Sequence, residues 1–229
     1  MCERIMIRRN SIDRDSVARA LLHPPELSGV TDAVVAAAEA VCSAFAEGSR
    51  LFVCGNGGSA SDAEHIVGEL AKSYRRKRPL SEAVRRRMME VSPELGAPLS
   101  LDLEVGLPAF SLVSQTSLLT AVCNDIGGDA IFAQQVVAYA TEGDCVIGLT
   151  TSGRSKNVIN AFIAAKAVGA LTIALTGSEP SAAGSFADVV IAAPALATAS
   201  VQQLHQIIYH TLCDAVEYAF FGEDCHAAE

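Results

Sequence analysis

His65 and Glu69 stand four residues apart in a segment of helical period, so an imidazole and a carboxylate share one helix face. Such a pair can shuttle protons or ligate a divalent cation. Gln202 and His210, in a second helical segment near the C-terminus, add an amide oxygen and another imidazole. Together the four form an N/O donor set that suits zinc better than calcium or magnesium, which seek more oxygen ligands. Eight helical residues rise about 12 Å, so Gln202 and His210 could share an ion only at the limit of their reach. Either the helix begins near Gln202 or one ligand comes from a neighbouring subunit. His205 rivals His210 by type, and its alternative role is that of a packed, hydrogen-bonded histidine.

Two loops carry the marks of anion binding. Leu51–Cys54 is a short apolar run, and Gly55-Asn56-Gly57-Gly58 after it permits a sharp turn and close backbone approach. Ser59 with Asp62 three residues on resembles a capping box, which would open a helix whose N–H groups favour an anion. The second loop holds Thr150, Thr151, Ser152 and Ser155, more hydroxyls than one helix cap requires, between an apolar run and an Ala-rich helical segment. Two such loops suggest a polyhydroxylated, phosphorylated small molecule. Gly55-x-Gly57-x-x-Ala60 also fits a loose dinucleotide fingerprint, but Leu70–Leu80 lacks the acidic residue that would hold a ribose. No GK[ST] follows the glycines, which excludes a P-loop.

The elements that must position these groups alternate. Residues 11–22 and 31–47 read as two helices before the first strand, the second opening on Thr31-Asp32 and closing at Gly48. Strands are expected at Leu51–Cys54, Ala109–Val113, Asp144–Leu149, Ala170–Leu175 and Asp188–Ala192. Helices are expected after Ser59, after the second strand to about Cys123, up to Tyr139, over Asn157–Ala167 and over Thr198–Phe220. The stretch 79–108 reads as an insertion with one short helix around Glu82–Val91. The expectation is therefore an α/β, doubly wound, mostly parallel five-stranded sheet of flavodoxin-like order with N-terminal helices, the whole of 1–229 forming one domain.

Composition narrows the class. Half of the 229 residues are hydrophobic, Trp is absent and the net charge is −9, which argues against general nucleic-acid affinity. Eight of the basic residues nevertheless fall between Lys72 and Arg87, as either a solvated surface segment or a rim that attracts an anion. Seven cysteines without a CxxC pair read as reduced core residues. No apolar run of about 20 residues and no signal-peptide core is evident, so the expected location is the cytoplasm, with no membrane partner.

The chain resembles the SIS-domain phosphosugar isomerases, and among them the sedoheptulose 7-phosphate (phosphoheptose) isomerases of bacterial heptose synthesis. The resemblance is carried by GNGGSASDAEHIVGE (Gly55–Glu69), Asn124-Asp125, TTSGRSKNVI (Thr150–Ile159), LTG (Leu175–Gly177) and TASVQQLHQIIYH (Thr198–His210). It implies a homotetramer with active sites between protomers and one zinc per subunit, held by His65, Glu69, Gln202 and His210. It also implies Glu69 and His210 as the catalytic pair, with substrate contacts from Asn56, Gly57, Gly58, Ser59, Glu69, Asn124, Asp125, Thr150, Thr151, Ser152, Ser155 and Gln202. The chain departs from the pattern in its longer insertion and in Ser73, which stands where the family has an Arg before the Tyr. A related type binds a replication-initiator protein and lacks the catalytic Glu and His, both present here. A non-catalytic phosphosugar- or protein-binding role is thus the alternative.

Overall fold

Short apolar runs closed by glycine or hydroxyl turns become the strands of the structure, a computed structural model that describes residues 9–222. The strands are β1 (Leu51–Gly55), β2 (Ala109–Ser111), β3 (Cys145–Leu149), β4 (Leu171–Thr176) and β5 (Val189–Ala192). They form one sheet in the order β2-β1-β3-β4-β5, and every pairing is parallel. Leu51 lies opposite both Ala109 and Cys145, and Cys145 opposite Leu171. Every residue of β1 and β3 is buried, as strands covered on both faces must be. Alternate residues feed two cores. Leu51, Val53, Ile147, Leu149 and Ile173 pack with the long helices on one face, and Phe52, Cys54, Val146 and Ala174 pack with Phe132, Val158 and Phe162 on the other.

The helices are α1 (Arg14–Ala20), α2 (Thr31–Ala46), α3 (Gly58–Ala71), α4 (Glu82–Val91), α5 (Pro93–Asp102), α6 (Thr116–Asp125), α7 (Ala133–Tyr139), α8 (Lys156–Ala167), α9 (Ala182–Phe186) and α10 (Thr198–Phe221). The first helix is shorter than its apolar spacing suggests and is followed by a 3₁₀ helix over Pro25–Val30. Val30, not Thr31, caps α2, and the Thr31 hydroxyl donates back to the Ser28 carbonyl at 3.0 Å. Pro25–Ala46 is long and apolar enough to cross a membrane, yet half of it is buried within the protein, as for a core helix. The α10 helix presents Val201, Leu204, Ile208, Leu212, Val216 and Ala219 to the core at three- and four-residue spacing.

Two helices exceed the sequence expectation. One is α9, and the other is α5, which the insertion holds as well as α4. Ser81 and Ser92 cap α4 and α5 through bonds from Val84 N and Leu95 N. Gly96 lets these two helices touch, since a Cβ there would collide with the Met88 carbonyl. Their outer surface leaves Val91, Leu95 and Leu101 exposed. An isolated antiparallel bridge between Pro79 and Glu104 closes the base of this hairpin.

From β1 the chain crosses to β2 on one side and then returns to β3 on the other. The crevice beyond the C-terminal ends of β1 and β3 is therefore the switch point, where open α/β sheets bind ligands.

Candidate active site

The glycine loop leaves β1 directly into α3. At Gly55 a Cβ would come within 2.5 Å of the Ser59 carbonyl oxygen, and Gly57 has φ +57°, a conformation that side chains disfavour. Gly57 also occupies the N-cap position, and no side chain caps the helix. This corrects the capping-box reading: Ser59 is buried inside the first turn, and Asp62 accepts a hydrogen bond from the Tyr209 hydroxyl at 3.3 Å. The left-handed glycine makes the turn that the serine was expected to make.

The hydroxyl loop leaves β3 beside it, with Gly55 opposite Leu149 in the sheet. Asn56 and Asn157 clasp the two loops together, each amide donating to the other's oxygen at 2.9 Å. Thr150 is buried and its Oγ1 lies 3.0 Å from Ser155 Oγ, while the Thr151 carbonyl accepts from Gly177 N after β4. Ser152 Oγ accepts from Arg154 N. Asn124 and Asp125 end α6 in the open, the amide donating to the carboxylate at 2.8 Å. Among the described residues no hydrogen bond joins their side chains to either loop.

Farther along α3, His65 and Glu69 meet His210 of α10. His65 Nε2 is 2.9 Å from Glu69 Oε1 and 3.5 Å from His210 Nε2. The ligand atoms of the three residues all lie within 4.8 Å of one another. Tetrahedral zinc with bonds of about 2.0–2.1 Å separates its ligands by roughly 3.3 Å, so this donor set fits such an ion. The His210 ring stacks on Tyr74, with centroids 5.6 Å apart and planes 8° apart. Burial lowers the His210 pKa, the neighbouring His65 adds to this, and Glu69 opposes it. A neutral imidazole, able to ligate or to accept a proton, is the result.

Gln202 is placed elsewhere. α10 is continuous from Thr198, so Gln202 and His210 are separated by about 12 Å of helix. The Gln202 amide instead lies against Gly58, where an added Cβ would strike its Nε2. His205 is fully buried with Nε2 3.0 Å from the Thr176 carbonyl, a packed histidine.

Sequence reasoning missed the supports of the cluster. Arg78, only 1% exposed, donates to the Leu70 carbonyl at 2.7 Å, the Glu69 carbonyl at 3.1 Å and buried Glu217 at 2.7 Å. The Glu217 carboxylate also accepts from the backbone N–H groups of Tyr74, Arg75 and Arg76. Burial opposes its ionisation, but the Tyr74 and Arg75 N–H groups and the Arg78 guanidinium outweigh that and hold its pKa below the ordinary carboxylate value. Arg75 and Arg76 pair with Asp214. Arg78 and half-buried Arg76 thus tie the end of α3 to α10, while Lys72, Arg75, Lys77, Arg86 and Arg87 remain exposed. The available signal was Glu217 itself, an acid four residues after Cys213 and three before Phe220, in step with buried positions of that helix.

A five-stranded parallel sheet of this order, two clasped loops at its switch point and a His/Glu/His cluster between α3 and α10 define an SIS-domain protein. One SIS-domain family model matches residues 113–213 and a second matches residues 26–104. The relatives narrow this further. The phosphoheptose isomerase of Roseiflexus sp. is 37% identical over 190 residues, 83% of each chain, and that of Geotalea daltonii is 38% identical over 83% of this chain and 85% of its own. Among solved structures, the phosphoheptose isomerase of Francisella tularensis superposes with a TM-score of 0.70 at 29% identity, covering 88% of this chain and 93% of that one. The Neisseria gonorrhoeae phosphoheptose isomerase gives 0.66 at 30% identity, covering 90% and 92%. The chain belongs to the SIS-domain family, within its phosphoheptose isomerases.

Proposed function

We propose that this chain is a ketose–aldose isomerase that converts sedoheptulose 7-phosphate to D-glycero-D-manno-heptose 7-phosphate through an enediolate. The observation that carries the reading is the convergence of Glu69 and His210 with His65, an acid–base pair set beside a second imidazole. Moving the carbonyl from C2 to C1 requires a proton to leave C1 and one to return at C2. The Glu69 carboxylate carries it between the carbons, and the His210 imidazole moves a proton between the two oxygens. Zinc held by His65, Glu69 and His210, with Gln202 of the partner subunit as the fourth ligand, would supply Lewis-acid stabilisation of the developing negative charge. Both catalytic groups that the initiator-binding type lacks are present, which favours the enzyme over a binding module. The test is incubation with sedoheptulose 7-phosphate and NMR observation of a new aldose C1 proton. No aldose from zinc-loaded protein would overturn the reading.

In this reading the hydroxyl loop, Thr150, Thr151, Ser152 and Ser155, holds the phosphate, and Asn56–Ser59, Asn124 and Asp125 hold the sugar. Charge-assisted hydrogen bonds contribute about 1.5–3 kcal/mol each, so Ser152→Ala with Ser155→Ala should raise KM roughly 10- to 100-fold. The change in kcat should be smaller, and steady-state kinetics separates the two. An unchanged KM would move the phosphate to the glycine loop.

Assembly as a homotetramer, with Gln202 completing a neighbour's site, is part of the same proposal. Its support is the separation of Gln202 from His210 along α10 and the exposed Phe110, Val137 and Tyr139. Light scattering should report four chains, and an active monomer would refute it. The reading places the enzyme in the cytoplasm, where their charge retains phosphosugars.

A further inference from the structure

A histidine ligates a metal through one ring nitrogen only when its proton sits on the other, and the partner of that other nitrogen decides the matter. At His65 the second nitrogen, Nδ1, lies 2.9 Å from the hydroxyl oxygen of Tyr209, a side chain only 1% exposed whose ring meets the imidazole edge-on. The same hydroxyl lies 3.3 Å from Asp62 Oδ1 and is also bonded by the Gln206 side chain. A phenol has a single proton to give, whereas an ionised carboxylate can only accept. The Tyr209 proton therefore goes to Asp62, and the hydroxyl oxygen is left to accept from its other neighbours.

We propose that Asp62 and Tyr209 are positioning residues that hold His65 as the Nδ1–H tautomer, keeping a lone pair on Nε2 aimed at Glu69 and His210. The direction of each hydrogen bond follows from the one before it: Asp62 accepts from Tyr209, and Tyr209 accepts from His65. Nε2 then faces Glu69 Oε1 at 2.9 Å and His210 Nε2 at 3.5 Å. The His65 lone pair is then set against the Glu69 carboxylate oxygen, with the His210 ring nitrogen beside them, an arrangement that a shared cation stabilises. Asp62 and His65 are three residues apart on α3, and Tyr209 immediately precedes His210 on α10. The relay therefore also locks the two helices in the register that brings His210 to the cluster. Its metal-binding consequence rests on the reading of His65 as a ligand.

The test reads tautomer and metal separately. In the full chain stripped of metal, with ¹⁵N-labelled histidine at a pH where imidazole is neutral, His65 should show its proton on Nδ1. Asp62→Asn keeps the shape but lets an amide donate to the Tyr209 oxygen, which frees the phenol proton for Nδ1. The imidazole proton should then move to Nε2. Tyr209→Phe removes the partner and should leave a mixture of tautomers. Zinc affinity, measured by chelator competition, should fall roughly 10- to 100-fold in both variants, as lost outer-shell partners typically cause. A proton on Nε2 in the unsubstituted protein, or an Asp62→Asn protein with unaltered tautomer, overturns the relay. Failure of the unsubstituted protein to bind zinc refutes the ligand reading instead, because the tautomer measurement requires no metal.

Discussion

Glu69→Gln should lower kcat by about 10²- to 10⁴-fold while leaving the fold and substrate affinity nearly intact, the loss typical of a removed general base. Glutamine keeps the length and one oxygen donor of the carboxylate but cannot accept a proton. The site tolerates the change sterically, since the Glu69 side chain is 19% exposed and its carbonyl stays anchored by Arg78. Deuterium from solvent gives a direct reading of the step. The unsubstituted enzyme should incorporate label at C1 of the ketose and C2 of the aldose during turnover. The Glu69→Gln variant should exchange that hydrogen far more slowly. Exchange at an unaltered rate would remove Glu69 from the role of base and leave it a ligand only.

Glu217→Ala should be the most damaging change to stability. It leaves Arg78 buried without a counter-charge and three backbone N–H groups, of Tyr74, Arg75 and Arg76, without their acceptor. Breaking a buried pair in this way costs about 3–5 kcal/mol, which corresponds to roughly 10 °C or more in Tm for a chain of this size. Thermal and denaturant unfolding would measure it, and a loss below about 1 kcal/mol would refute the assignment. Acid sensitivity provides an independent check. The Glu217 pKa is lowered in the folded protein, so its contribution is complete above the ordinary carboxylate value and is lost as pH falls through the folded value. The Glu217→Ala variant should lack that part of the acid destabilisation.

The sheet was legible because strands buried on both faces read as short apolar runs. Leu51–Cys54 and Asp144–Leu149 each end in a turn of glycines or hydroxyls, and both loops follow from their placement between strand and helix. The His65/Glu69 face was legible because spacing along one helix is local geometry. What escaped was contact between segments far apart in the chain. Nothing in the run from Lys72 to Arg87 marks Arg78 as the buried member, because its partner Glu217 lies 139 residues away. Tyr209 looks like one more apolar residue of α10 until folding sets it against Asp62 and His65. Ser59 looks like a cap because serine is the usual one, but a glycine with positive φ already makes that turn. α5 was hidden by Gly96 and Pro98, two residues that ordinarily interrupt helices, although Gly96 is the point where α4 and α5 touch.

The closed base of the α4–α5 hairpin has a consequence for descent. Pro79 and Glu104 meet across an antiparallel bridge, and Val105 N donates to the Arg78 carbonyl at 2.7 Å, so the chain leaves and re-enters the sheet layer at nearly one place. A segment whose ends already meet can be gained or lost as a unit, because the remaining gap is short enough for a tight turn. The cluster on α3 and α10 and the clasped loops all lie outside it. Lineages can therefore remodel this appendage, with its exposed leucines and arginines, under selection of its own while the chemistry of the sheet edge is inherited unchanged.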